Sequence, residues 1–300
     1  MIRTPLVRFA VPLFAAASLI PGPLGAQATD GAPYALARAK QYDIHSKING
    51  QTYRIMVTTP RGADSAAIYP VLYVLDGDKM FATASESATE QSAKVIVVGI
   101  GYGTDVQQDW LARREFDMTP FAVKGAPTPG LPGKSGGGDA FLRVLEEEVK
   151  PFVKARYNVD STREVLFGKS LGGLIALRAL FRNPAAYTAY VLASPAIWLN
   201  DREVLADEAA FSKRGRAGEL HLQILVTSAG DEQYRGDDPA LLAAAATSRM
   251  IDNASELTDR LAALKPTSIK VSRVIFPGET HISTSSAAIS RAVRLAISLR

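Results

Sequence analysis

The stretch that decides the fold is Glu164-Val165-Leu166-Phe167-Gly168-Lys169-Ser170-Leu171-Gly172-Gly173. A short apolar run, Val165 to Phe167, leads into G-x-S-x-G, and the apolar spacing from Leu171 to Phe181 reads as a helix. A strand that turns directly into a helix through a serine between glycines is a nucleophile elbow. The turn is tight, so its flanks must be small, and Gly168, Gly172 and Gly173 meet that need. Such an elbow lifts the Ser170 hydroxyl clear of the sheet. It also sets that hydroxyl at a helix N-terminus, where free N–H groups favour negative charge. The backbone N–H of Leu171 then becomes one candidate oxyanion donor.

The five-residue pattern alone is weak, because chance supplies it about once in ten chains of this length. It occurs a second time here, at Gly133-Lys134-Ser135-Gly136-Gly137, inside a Gly/Pro-rich stretch with no strand before it. Ser135 therefore reads as an ordinary turn residue. Both copies contain Gly-Lys-Ser, but a phosphate loop needs a further glycine five residues before the second Gly. Arg163 and Thr128 hold those positions, so that reading fails twice. Gly99-Ile100-Gly101-Tyr102-Gly103 lacks the spacing of a dinucleotide loop and no helix pattern opens after it.

Outward from the elbow, apolar runs without alternation recur at Tyr69–Leu75, Val95–Ile100, Tyr190–Ala193, Leu222–Val226 and Ile269–Phe276. Such runs suit parallel strands covered on both faces. Helical spacing lies between or after them, at Ala140–Arg156, Leu171–Phe181, about Pro239–Leu264 and Ala287–Leu299. Tyr42–Ile48 and Gln51–Thr58, joined by Asn49-Gly50, predict a β-hairpin with a two-residue turn. Gly103 to Gly138 shows no clear periodicity and reads as a long loop. The sum is an α/β chain: a mostly parallel central sheet with an antiparallel N-terminal hairpin edge and helices on both faces, the α/β-hydrolase pattern.

A serine hydroxyl needs a base. Of three histidines, His45 lies in the opening hairpin and His221 at the start of a strand, the wrong end for a site built at strand C-termini. His281, in Gly-Glu-Thr-His-Ile-Ser after the last strand, fits the chain order nucleophile, acid, histidine. The acid belongs after a strand between the two. Thr227-Ser228-Ala229-Gly230-Asp231-Glu232 follows Leu222–Val226, and either Asp231 or Glu232 suits the role, ahead of the more distant Asp237-Asp238. A second oxyanion donor is expected from the loop Asp76-Gly77-Asp78 after the Tyr69–Leu75 strand.

Composition bounds the rest. Arg3 and Arg8, the apolar run Phe9–Ile20 and Ala26-Gln27-Ala28 read as a secretory signal peptide over residues 1–28. Residues 29–300 then form a single domain of a secreted, periplasmic protein, starting near Thr29, or at Gln27 if cleavage follows Ala26. Loss of Arg3 and Arg8 lowers the formal charge from +4 by two, too little to argue for nucleic acid or a membrane surface. The chain has no cysteine, which excludes a thiolate nucleophile and thiolate metal sites.

Four segments in one order now carry a resemblance: Y-V-L-D-G-D (73–78), R-R-E-F-D-M-T-P (113–120), G-K-S-L-G-G (168–173) and G-E-T-H-I-S (278–283). The set resembles the putative-esterase family, and within it the periplasmic trilactone esterases that hydrolyse catecholate siderophores. The resemblance spans about residues 40 to 298. It implies Ser170 and His281 as catalytic residues, Glu232 ahead of Asp231 as the acid, and the backbones of Leu171 and Asp78 as oxyanion donors. It implies that Arg113 and Arg114 line the substrate pocket. The expected activity is hydrolysis of a bulky small-molecule ester, such as a siderophore trilactone, through an acyl-enzyme, with no metal or cofactor. The alternatives are a general exported acyl or feruloyl esterase and an inactive binding protein on the same scaffold. Lys169 departs from the histidine more usual in this elbow; its side chain is expected to point away from the reacting carbon, with modest effect.

Overall fold

Val/Ile/Leu-rich runs assemble one eight-stranded sheet in the order β1-β2-β4-β3-β5-β6-β7-β8. The computed structural model describes residues 35–124, 134–232, 239–264 and 269–299. The leader 1–28 with both cleavage points, Thr128, Gly133 and Asp237-Asp238 lie outside the described residues. The strands are β1 (Ala39–His45), β2 (Thr52–Thr58), β3 (Tyr69–Val74), β4 (Ile96–Gly101), β5 (Val159–Lys169), β6 (Ala189–Ala193), β7 (Leu222–Asp231) and β8 (Ile269–Thr280). β1 pairs antiparallel with β2, and β2 with β4; every other pair is parallel. Every residue of β3 and β4 is buried, as strands covered on both faces require.

The helices are α1 (Gly77–Glu90), α2 (Gln107–Met118), α3 (Gly138–Arg143) running through a π turn at Val144–Val149 into α4 (Lys150–Lys154), α5 (Leu171–Arg182), α6 (Leu199–Arg202), α7 (Glu208–Ala217), α8 (Pro239–Ser248), α9 (Met250–Ala262) and α10 (Ser285–Ser298). α1 and α10 pack together on one face of the sheet, against alternate residues such as Leu72, Val74, Val165 and Phe167. α5 and α9 cover the other face, which holds the larger cluster around Tyr73, Leu166 and Leu177. The chain steps from β3 out to β4, then crosses back to β5 and proceeds the other way. The ends of β3 and β5 are therefore the topological switch point, where open α/β sheets bind ligands.

The structure corrects several local expectations. The hairpin does not turn tightly at Asn49-Gly50. Ser46 N–H donates to Gln51 O (2.8 Å), enclosing the four residues 47–50. Ser46 Oγ there accepts from Ile48 N (3.1 Å), and Asn49 Oδ1 accepts from Gln51 N (3.1 Å), so side chains satisfy the wider loop. Part of the presumed long loop 103–138 is the helix α2. Its buried side carries Glu115 and Asp117 beside Trp110 and Met118, so inward-facing charges hid the amphipathic pattern. The region from Pro239 to Leu264 is two helices, broken at Arg249 with φ 43°.

Candidate active site

The turn after β5 forces Ser170 to φ 58°, ψ −117°, a conformation non-glycine residues rarely adopt. Close packing over-determines it. A side chain at Gly168 would place its Cβ 2.0 Å from the Gly172 carbonyl oxygen, so only glycine fits there. Ser170 N–H donates to Ala193 O (2.9 Å), and Ser170 O accepts from Leu174 N (2.9 Å) and Ala196 N (3.1 Å). Segment 193–196 thus clamps the elbow from the neighbouring strand. Leu171 is the first residue of α5, where a backbone N–H has no carbonyl partner within its own helix.

The expected loop Asp76-Gly77-Asp78 is mostly helix. Asp76 stands in the left-handed region (φ 56°, ψ 41°), and Gly77 and Asp78 open α1. The Asp78 N–H is thus a first-turn donor of α1, as Leu171 is of α5. Gly77 is required because a Cβ would come within 2.6 Å of Ile100 N. The Asp78 carboxylate turns away to accept from Tyr102 N (2.6 Å) and Gly103 N (3.3 Å).

His281 follows β8, and Glu232 follows β7, its parallel neighbour. His281 Nδ1 lies 2.8 Å from Glu232 Oε2. Ser194 Oγ and Ala229 N (2.9 Å) both donate to Glu232 Oε1. Burial pushes the Glu232 carboxyl up, but the bonds from His281, Ser194 and Ala229 outweigh it and hold the group below the usual carboxylate range. An ionised carboxylate only accepts, so Nδ1 carries the hydrogen in this contact and Nε2 is the ring nitrogen left for the serine. Glu232 is dry, with 4% of its side chain exposed, while the His281 ring is 30% exposed. Asp231, by contrast, is the last residue of β7 and pairs with Thr280 of β8.

Ser194 went unnoticed in the sequence. It closes a chain of bonds from the elbow through Ala193 to Ser194, Glu232 and His281. The one available signal was its place beside Pro195 at the end of an apolar strand.

Arg113 and Arg114 do not project free forks into the site. Arg114 grips Asp76 through Nε–Oδ1 (2.6 Å) and Nη2–Oδ2 (2.9 Å), and Nη2 also reaches Lys169 O (3.4 Å). Arg113 donates to Thr52 O (2.6 Å) and Tyr102 O (3.3 Å) and stacks on the Tyr102 ring. For Arg114 the physical reason is burial: a guanidinium with 14% of its side chain exposed needs internal acceptors. Arg113 nonetheless borders a hollow beside α2, with Gln51, Ala112, Phe116, Asp117 and Lys134. In that hollow the Asp117 carboxyl accepts from Tyr53 OH (2.9 Å). Burial pushes it up to about 6, against the pull of Tyr53 and Arg113. Ser135 is structural, its Oγ accepting from Val123 N (2.8 Å).

The sheet order, the elbow at the switch point and the histidine after the last strand define an α/β-hydrolase fold. Residues 46–262 match the family described as "Putative esterase", and the chain belongs to it. It is 32% identical to the ferri-bacillibactin esterase BesA of Bacillus subtilis over 85% of this chain and 88% of that protein. It is 33% identical to the siderophore triacetylfusarinine C esterase of Aspergillus fumigatus over 88% of this chain and 94% of that protein. Among solved structures, the BES protein from Bacillus cereus superposes with a TM-score of 0.77 at 27% identity, covering 90% of this chain and 99% of that one. The chain is a serine hydrolase that acts on ester bonds.

Proposed function

We propose that Ser170, His281 and Glu232 form a charge-assisted triad that cleaves esters through an acyl-enzyme. Ser170 Oγ attacks the ester carbonyl carbon as His281 Nε2 takes its proton. The proton passes to the leaving alkoxide as the C–O bond breaks. Water then repeats the sequence on the acyl-serine and restores Ser170. The N–H groups of Leu171 and Asp78, each in the first turn of a helix, hold the oxyanion. The observation that carries this reading is the 2.8 Å contact of His281 Nδ1 with Glu232, taken with a serine held at φ 58° in the turn from β5 into α5. It favours Glu232 over Asp231 as the acid. Failure of a fluorophosphonate to label Ser170 in the folded protein would favour the inactive binding scaffold instead.

The substrate we assign is a bulky ester of the siderophore trilactone class. Both curated relatives are named for siderophore esters, and the hollow beside α2 offers room next to Arg113, Phe116 and Lys134 for an anionic or catechol-bearing acyl arm. Arg114 serves this site by holding Asp76, and Arg113 by bordering the hollow. The signal over residues 1–28 makes the enzyme an exported one, and N-terminal sequencing from the native host tests that. The second reading, a general acyl or feruloyl esterase, separates in kcat/KM measured on a triserine trilactone, a feruloyl sugar ester and a short p-nitrophenyl ester. The trilactone should be preferred by at least about tenfold; parity with the short ester removes the siderophore assignment.

A further inference from the structure

Lys169 is the one elbow residue whose role the ester chemistry leaves open. It ends β5, pairs with Ala193 and is only 5% exposed. Side chains alternate along a strand, and Val165 and Phe167 face the α1–α10 side. Lys169 continues that set; its carbonyl accepts from Arg114 Nη2 (3.4 Å), and its partner Ala193 on β6 precedes Ser194, whose Oγ donates to Glu232. The charged groups acting on it are Glu232 on that loop, Arg114 on α2 and Asp76 before α1. Among the described residues its ammonium makes no direct ion pair with either carboxylate, unlike Arg114, which grips Asp76, or His281, which meets Glu232.

The charges of this enclosed group sum to zero: Lys169 and Arg114 against Asp76 and Glu232. A dry cluster resists a net charge, so removing one cation favours uptake of a proton elsewhere. Arg114 is always charged, Asp76 is locked to it, and Glu232 is tied by three donors. His281 is the remaining acceptor of a proton.

We propose that Lys169 is a positioning residue of the catalytic pair, whose buried cation balances Glu232 and so keeps His281 free of a proton and ready to act as base. This rests on the Ser170–His281–Glu232 reading above. The lysine is itself close to titrating: burial pushes its ammonium down to about 8, against the pull of Glu232 and Asp76 and with the push of Arg114. Its balance therefore holds at neutral pH and fades in mildly alkaline solution.

The experiment is the pH profile of kcat/KM on a neutral p-nitrophenyl ester for wild type, Lys169→Met and Lys169→Arg. Lys169→Met should move the acid limb to higher pH by about half a unit or more, because like charge no longer opposes imidazolium. Lys169→Arg keeps a cation and should keep the wild-type limb. An inflection near pH 8 in the wild type should vanish in both variants. Equal limbs in all three proteins overturn the proposal, and so does a uniform loss of rate at every pH, the mark of a merely structural residue. If Lys169→Met does not fold, an unmoved alkaline inflection in Lys169→Arg overturns it equally well. Failure of the triad reading is seen separately, as activity that survives Ser170→Ala or His281→Ala.

Discussion

The chain writes Gly-Lys-Ser twice within G-x-S-x-G, and the two copies end up as different objects. At Gly168–Gly172, β5 delivers the serine into α5 with φ 58°, and the neighbouring segment 193–196 locks its backbone. Within the described residues 134–137, Ser135 Oγ accepts from Val123 N, Gly136 takes φ 96° and Gly137 packs on Phe116. The lysines part in the same way: Lys169 is buried beside Glu232, while Lys134 is exposed at the rim of a hollow. A short motif thus specifies a conformation only where the flanking elements impose one. Strain at Ser170 persists because glycines and backbone bonds surround it.

The sharpest way to break the comparison is to remove each hydroxyl. Ser170→Ala should lower kcat by about 10⁴-fold or more, leaving only what binding and the oxyanion donors supply. Ser135→Ala should change kcat by less than about twofold, with at most a small drop in Tm, since one neutral hydrogen bond is lost. Comparable effects at both sites would mean that local context had not separated them.

His281→Ala comes next, with a fall in kcat of about a thousandfold or more. The double variant Ser170→Ala/His281→Ala should be scarcely worse than Ser170→Ala, because the two act as a unit. Full additivity in single-turnover kinetics would dissolve the pair. Glu232→Ala should cost about a hundredfold or more, since it releases His281, Ser194 and Ala229 together. Asp231→Ala should cost clearly less. Equal, small losses at both positions would leave a Ser–His dyad and discard the acid assigned here.

The smallest effect lies at the hollow that Lys134 borders. Asp117 has a folded-state value of about 6 against an ordinary 3.8, so the native protein binds its proton more tightly than the unfolded chain. Its contribution is complete below about pH 4 and is lost as pH rises through about 6. Urea denaturation should show wild type losing on the order of 1–3 kcal/mol across that window relative to Asp117→Asn, which keeps an acceptor for Tyr53 without the buried charge. Parallel stability curves would show that Asp117 ionises at its ordinary value.

What could be read without coordinates follows from local rules. The elbow, the parallel strands and the hairpin edge declare themselves through apolar runs and glycine spacing, and His281 through chain order, because each depends on neighbours a few residues away. The two carboxylates Asp231 and Glu232 stood side by side with no local criterion between them. Family resemblance ranked Glu232 first; the contacts themselves exist only in the tertiary structure, where Asp231 ends β7 in register with Thr280 and Glu232 meets His281, Ser194 and Ala229. The same holds for α2, where buried charges defeat the hydrophobic period until Asp76 and Tyr53 arrive from 38 and 64 residues away to satisfy them. It also holds for Lys169, whose charged neighbours come from the turn before α1, from α2 and from the loop after β7. Sequence determined which backbone turns were possible; long-range packing decided which charges met, because charge pairing acts between elements that the chain brings together only on folding.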